Sequence, residues 1–203
     1  MKRILYLHGF ASGPSSSKAQ YFRKRLPGLE ILDLAEGRFE DLTITGQLAV
    51  IERAAAGDPV SLVGSSMGGY LATLYATRHP ETKRVVLLAP AFGFAHRWAE
   101  RLGPEQLDQW RRTGWMEVFH YGENRQRRLN YGLLADGAQY EDYPDFHQPA
   151  LIFHGAQDDV VPARYSEEFA ASHPNAHLEI LDSGHELLNV LDHMAETILP
   201  FLS

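Results

Sequence analysis

The sequence predicts an α/β fold in which a mostly parallel sheet of about six strands is flanked by helices and carries a small helical cap. Short apolar runs of strand length alternate with segments of helical period, the pattern of parallel strands joined by crossover helices. The composition, 44% hydrophobic and 22% charged, is that of an ordinary globular protein. The 203 residues are therefore expected to form one domain, 1–203, with the cap inserted at about residues 91–149.

Six short apolar runs are the predicted strands. They cover residues 3–7, 29–34, 60–63, 84–89, 150–154 and 178–181. Helices are predicted at residues 18–26, 45–56, 68–79, 163–172 and 186–202. Ordinary stop signals end the first three of them: Pro27 with Gly28, then Gly57, then Pro80.

The segment at residues 91–149 interrupts this alternation. It shows no clear strand, only helical stretches near residues 98–102 and 105–112, and residues 92–146 hold 11 of the 22 aromatic residues, including all three tryptophans. Clustered rings commonly form a satellite core beneath an insertion. They also suit a cap that covers a ligand, and the two interpretations are compatible.

Charge and residue usage exclude several classes of function. The net charge of −7 argues against general nucleic-acid binding, and the lack of cysteine excludes disulfides, a cysteine nucleophile and thiolate metal sites. Only four apolar residues follow Lys2 and Arg3, too few for a signal peptide, and no run approaches the roughly 18 to 20 residues of a membrane span. We expect a cytoplasmic protein without membrane insertion.

The cap contains a set of arginines that could be mistaken for a binding patch. Residues 92–146 hold seven arginines against nine acidic residues, so ion pairs on a solvated face are expected. A clamp for an anionic acyl carrier is the alternative. The arginines concerned are Arg111, Arg112, Arg125, Arg127 and Arg128.

The strongest chemical signal is the G-x-S-x-G pattern at residues 64–68, between a predicted strand and a predicted helix. In that context the serine, Ser66, occupies a turn so tight that Gly64 and Gly68 can hardly carry side chains. The turn directs the Ser66 hydroxyl outward, and the helix that follows places its N-terminal N–H groups close to that hydroxyl.

A nucleophilic serine needs a base and an orienting carboxylate, and both have candidates downstream. Asp158 follows a buried strand and His185 follows the last strand, so all three side chains are expected at the carboxyl edge of the sheet. Asp159, the next residue, competes with Asp158 for the role of the carboxylate. The chain order Ser66, Asp158, His185 predicts a catalytic triad.

An oxyanion hole would complete this site. One donor is expected to be the backbone N–H of Met67, and the other the N–H of Phe10 in the loop after the first strand. Because only a backbone group is needed from that loop, His8 is expected to have a structural role.

The segments YLHGF at residues 6–10, GSSMGG at 64–69 and HGAQDDVVP at 154–162 resemble the α/β-hydrolase superfamily over nearly the whole chain. Within it, the first two segments resemble small bacterial serine esterases. Cap residues 98–106 and 113–115 are similar to the group that contains the mitochondrial acyl-protein thioesterase and acyl-glucuronide esterase. The resemblance implies ester or thioester hydrolysis without cofactor or metal, on a sheet that lacks the superfamily's usual first two strands. The superfamily pattern H-G-x-x-D-x-x-V-P also implies that the carboxylate is Asp158 rather than Asp159.

The sequence thus predicts a carboxylesterase or thioesterase whose partner is a small-molecule ester or thioester. A peptidase or amidase using the same triad, and a non-catalytic ligand receptor on a hydrolase scaffold, stay open as alternatives. The rings expected to form the apolar wall of the substrate pocket are those of Trp98, Trp110, Trp115 and Tyr121.

Overall fold

The computed structural model describes residues 2–203 and contains a six-stranded, fully parallel sheet. Its strands are β1 (Arg3–Leu7), β2 (Leu29–Ile31), β3 (Val60–Ser65), β4 (Val85–Leu88), β7 (Ala150–Gly155) and β8 (Ala176–Leu181). Their order in the sheet is β2-β1-β3-β4-β7-β8. The predicted number and direction of the core strands are confirmed.

Helices connect the strands and cover both faces of the sheet. They are α1 (Ser17–Arg23), α2 (Ile44–Ala55), α3 (Met67–Arg78), α4 (Phe94–Thr113), α5 (Gly132–Gly137), α6 (Arg164–Ser172) and α7 (Leu191–Leu202), with 3-10 turns at Phe39–Asp41 and Leu188–Val190. The last predicted helix was too long at its start, because residues 186–190 form a loop and a 3-10 turn.

Alternate strand residues enter two separate apolar layers. Ile4 and Val63 pack with α1 and α7 on one face, whereas Leu5 and Leu62 pack with α2, α3 and α6 on the other. Since both faces are covered, β3 and β7 are buried at every residue, which explains why apolar residues in these strands do not alternate strictly with polar ones.

The cap is not entirely helical, so the prediction that it lacks strands was wrong. Strands β5 (Trp115–His120) and β6 (Arg125–Asn130) form an antiparallel hairpin. Most of β6 is exposed or half-buried and polar, so it lacks the apolar run of a core strand. The two predicted helical stretches are both in α4, which bends at Gly103, a residue with a φ of +72° followed by Pro104.

The five cap arginines named from the sequence each have an acidic or aromatic partner. Arg127 pairs with Glu40 and Glu123, and Arg128 lies over the Trp115 ring at 4.6 Å. Arg111 and Arg112 both pair with Asp108, and Arg125 pairs with Glu123.

Within residues 2–203, no helix combines the length and the apolar character needed to cross a membrane.

Candidate active site

Ser66 occupies the turn between β3 and α3 in a strained conformation, with φ +53° and ψ −117°. Its N–H donates to the Leu88 carbonyl at 2.8 Å, and its own carbonyl accepts from the Ala91 N–H at 3.0 Å. A positive φ at a residue other than glycine costs about 1 to 3 kcal/mol and persists only where the surroundings enforce it. The hydrogen bonds to Leu88 in β4 and to Ala91 in the loop after β4 hold Ser66 in this conformation.

Two glycines allow the turn to be this tight. A Cβ on Gly64 would lie 2.3 Å from the Gly68 carbonyl oxygen, and one on Gly68 would lie 2.1 Å from the Leu7 carbonyl oxygen. Both obstacles are backbone atoms, which no side-chain rotation can clear. The sequence argument that these positions exclude side chains is confirmed.

Gly68→Ala should therefore destabilise the fold by more than about 3 kcal/mol, because β1 or α3 must shift to accommodate the methyl group. Urea unfolding followed by circular dichroism measures this. Gly13→Ala is the matched control, since a Cβ there would have no atom within 4 Å. Equal unfolding midpoints for the two variants would contradict the steric argument.

The three side chains predicted as a triad lie in hydrogen-bonded sequence. His185 Nε2 is 3.0 Å from Ser66 Oγ, and His185 Nδ1 is 2.7 Å from Asp158 Oδ2. A carboxylate only accepts, so Nδ1 carries the imidazole proton and Nε2 is free to accept the serine proton. The adjacent Asp159 is exposed.

The Asp158 side chain is completely buried and all of its acceptor positions are used. Oδ1 accepts the backbone N–H groups of Val160 at 2.9 Å and Val161 at 2.8 Å. Oδ2 faces His185 and lies 3.1 Å from His154 Nε2. Burial acts to raise the pKa of Asp158, but the hydrogen bonds from His154 and His185 outweigh it and hold that pKa well below its usual value.

His154 is a positioning residue that the sequence argument used only as part of a motif. Its Nε2 lies 2.8 Å from the Val161 carbonyl as well as near Asp158, so Nε2 is protonated, and Nδ1 accepts from the Ser166 hydroxyl at 2.7 Å. The spacing His154 to Asp158 was the available signal. This spacing could not reveal that the two side chains meet, because the loop between them must fold back on itself.

The loop that carries His185 is fixed from two sides. The Ser183 hydroxyl donates to Asn189 Oδ1 at 2.6 Å, and the Gln157 N–H donates to the Ser183 carbonyl at 3.0 Å. A Cβ on Gly155 would lie only 2.3 Å from that same carbonyl oxygen. The loops that carry His185 and Asp158 are therefore in direct backbone contact.

The two predicted oxyanion donors are without acceptors. In the described part of the chain, the N–H groups of Phe10 and Met67 donate to no protein group. The Phe10 loop lies against the serine, since a Cβ on Gly9 would be 3.4 Å from Ser66 Cβ. His8 holds this loop as expected: Nδ1 lies 2.9 Å from the Gly9 carbonyl, and Nε2 accepts the Leu34 N–H at 3.2 Å.

The four predicted wall residues do not share one environment. Trp98 is half-buried, and its ring packs edge-on against the Phe10 ring, with the ring centres 5.1 Å apart. Trp110 is buried in the cap interior, where its Nε1 donates to the Leu129 carbonyl at 3.1 Å. Trp115 packs under Arg128 in the hairpin, and Tyr121 is 75% exposed at the hairpin turn. Trp98 is thus the ring with the best support.

Arg97 is a further residue of this region that sequence reasoning did not single out. Its Nε donates to the Phe92 carbonyl at 2.7 Å and its Nη1 to the Val160 carbonyl at 3.2 Å. It therefore joins the first turn of the cap to the loop that holds Asp158. No cluster of three or more metal-ligating side chains occurs in residues 2–203.

A family model described as the uncharacterised protein family UPF0227 matches residues 3–203. The chain belongs to this family. The match includes the turn at Ser66 and the loops that carry Asp158 and His185 in the UPF0227 chain.

Solved structures similar to this UPF0227 member share its fold at low identity. A protein of Agrobacterium vitis S4 is 22% identical with a TM-score of 0.85, over 100% of this chain and 88% of that one. Mouse alpha/beta hydrolase domain-containing protein 10 is 18% identical with a TM-score of 0.76, over 98% and 90%. Est1E of Butyrivibrio proteoclasticus is 20% identical with a TM-score of 0.73, over 99% and 86%. The UPF0227 chain has the α/β-hydrolase fold.

Proposed function

We propose that the protein is a serine hydrolase that cleaves a small to medium carboxylic ester or thioester through an acyl-enzyme intermediate. The observation that carries this proposal is the continuous hydrogen-bonded sequence from Ser66 Oγ through His185 to the buried Asp158. The hydrolase fold is compatible with many functions, so the argument depends on these three side chains rather than on the fold.

In the first half-reaction, Ser66 Oγ attacks the substrate carbonyl carbon while His185 Nε2 takes the hydroxyl proton. The carbonyl oxygen becomes an oxyanion that the unpaired N–H groups of Phe10 and Met67 can bind. The ionised Asp158 stabilises the imidazolium formed on His185. The imidazolium then donates its proton to the leaving alcohol or thiol, and the acyl-enzyme results.

In the second half-reaction, water attacks the acyl-enzyme with His185 as its base. The same two N–H groups bind the second oxyanion. Collapse of this intermediate returns the proton to Ser66 and releases the acid. Every step uses groups whose positions are described above, and Asp158 remains ionised throughout because its pKa is held low.

The names of similar structures support the same class of reaction. They include Est1E, whose structure was also obtained with ferulic acid, and a monoacylglycerol lipase of Paleococcus ferrophilus. At 15 to 21% identity these names indicate a range of carboxylic acid derivatives rather than one substrate.

Labelling by a fluorophosphonate probe tests the proposal directly, because such probes react with activated serines. We expect one adduct on the wild-type protein, located at Ser66 by peptide mass spectrometry, and none on the Ser66→Ala variant. A panel of acyl esters, acyl thioesters and peptides with matched acyl groups then distinguishes esterase, thioesterase and peptidase activity. A folded wild-type protein without labelling or turnover would refute the proposal.

The position of Trp98 beside Phe10 makes it the main candidate for the wall of the acyl pocket. Trp98→Ala should change the kcat/KM ratio of octanoyl to acetyl esters by about tenfold or more, because contacts to the longer chain are lost. Tyr121→Ala is the control, since its ring is 75% exposed and should leave the ratio unchanged. If both variants scaled acetyl, butyryl and octanoyl esters equally, the cap would have no part in acyl selection.

A further inference from the structure

Lys18 lies near the loop that carries His185, close enough to Glu186, the next residue in the chain, for their charges to interact. It is in the first turn of α1, the helix that follows the Phe10 loop, and faces inward together with Ala19 and Phe22. Ala19 belongs to the same apolar cluster as Leu187, two residues after His185. Tyr21 and Arg25 of α1 also bond to Asp192 at the start of α7. Helix α1 therefore packs against the segment that follows the catalytic histidine.

The Lys18 side chain is a buried cation without a partner. The residue is only 8% exposed. Among residues 2–203, its ammonium has no hydrogen-bond partner, although the Glu186 and Asp158 carboxylates are near enough to act on it electrostatically. The completely enclosed unpartnered side-chain atoms of the described residues are those of Tyr6 and Thr82, so the Lys18 ammonium retains some contact with solvent.

A lysine in this position is costly unless an anion pairs with it. Burial lowers the pKa of Lys18 to about 8, although the carboxylates of Glu186 and Asp158 act to raise it. The ammonium is thus still largely charged at neutral pH. Three N–H donors on an accessible cation form a suitable partner for a carboxylate or phosphate group.

The direction of the proposed reaction indicates which part of a substrate would meet Lys18. His185 gives its proton to the leaving group, so the leaving alcohol or thiol must lie on the His185 side of Ser66. The acyl chain then extends away, toward Trp98 and the cap. Because Lys18 is beside the His185 loop, it is on the leaving-group side.

We propose that Lys18 is a specificity-determining residue that binds an anionic group, a carboxylate or a phosphate, on the leaving group of the substrate. This inference rests on the proposed function and narrows it to esters or thioesters of acidic alcohols or thiols.

Three butyryl esters with related leaving groups test this inference: 1-butyrylglycerol, 3-butyrylglycerate and 1-butyrylglycerol 3-phosphate. We expect the wild-type kcat/KM for the glycerate or the phosphate ester, or both, to exceed that of the neutral ester by about tenfold or more. The two anionic esters distinguish carboxylate from phosphate recognition. Lys18→Met, which keeps the aliphatic volume, should reduce the preference to less than about twofold.

Lys24→Met is the matched control, because Lys24 is exposed at the other end of the same helix and should leave the preference intact. Lys18→Gln provides a second variant if the methionine substitution prevents folding. A wild-type protein that prefers neither anionic ester overturns the inference. Equal losses for all three esters in both Lys18 variants also overturn it, since they would indicate a structural lysine.

Binding separates this inference from the proposed function. The Ser66→Ala protein can be titrated calorimetrically with the same three esters. Tighter binding of an anionic ester that depends on Lys18, without turnover by the wild-type protein, would retain the inference and refute hydrolysis. Turnover without such a binding preference would retain hydrolysis and refute the inference.

Discussion

Ser66→Ala is expected to reduce kcat by roughly 10⁴- to 10⁶-fold while the protein stays folded. The variant loses only the hydroxyl that donates to His185 Nε2 at 3.0 Å. The unpaired N–H groups of Phe10 and Met67 remain and account for the residual rate. Steady-state hydrolysis of a butyryl ester measures the loss, and retention of more than a few per cent of wild-type activity would contradict the role of Ser66.

A second substitution at the same position separates chemistry from folding. Ser66→Gly should be as inactive as Ser66→Ala, but its Tm should be higher, because glycine accepts the φ of +53° without strain. A difference of about 1 kcal/mol in the free energy of unfolding is expected. Equal Tm values would show that the turn is not strained.

Asp158→Asn should lower kcat by about 10⁴-fold. An asparagine that presents its NH₂ group to His185 forces Nδ1 to accept, and the proton then moves to Nε2, where it prevents deprotonation of Ser66. The opposite orientation places the NH₂ group against the N–H groups of Val160 and Val161, which need an acceptor. Both orientations are unfavourable, so stability should fall as well.

Asp159→Asn is the control for this experiment, because Asp159 is exposed and has no contact with His185 in the described structure. Its kcat should remain within a few-fold of the wild type. Thermal unfolding of both variants shows how much of the Asp158→Asn effect is structural. The reverse order of kcat values would assign the acid to Asp159.

The parts of the structure that were predictable from sequence are those with short-range signals. Buried parallel strands such as β3 and β7 are rich in large apolar residues and stand out in the chain. The turn at Ser66 was predictable because its G-x-S-x-G pattern is contiguous in sequence, although the contact that excludes a side chain at Gly68 is with the distant Leu7. Asp158 and His185 could be placed at the sheet edge because each follows such a strand, and the structure brings both side chains to Ser66.

The remaining features depend on contacts between distant segments. Strand β6 is rich in arginine and is held by pairing with β5 and by Glu40, which is 87 positions away from Arg127. Lys18 appears in sequence as an ordinary helix residue, and its burial in the folded chain has no local signal. The orientation of the cap rings is set by tertiary packing, so Trp98 and Trp110 could not be distinguished in advance.

The position of β8 at the edge of the sheet has a consequence for folding. His185 lies 119 positions after Ser66 and follows β8, which pairs with β7 as the outermost strand. A folding intermediate that contains the other strands would already have the serine in its tight turn but would lack the base. Since β8 pairs only with β7, its docking requires that β7 is already in the sheet, and the contact of His185 with Ser66 forms after that step. Recovery of esterase activity after dilution from denaturant should therefore follow the docking of β8, later than the recovery of secondary structure.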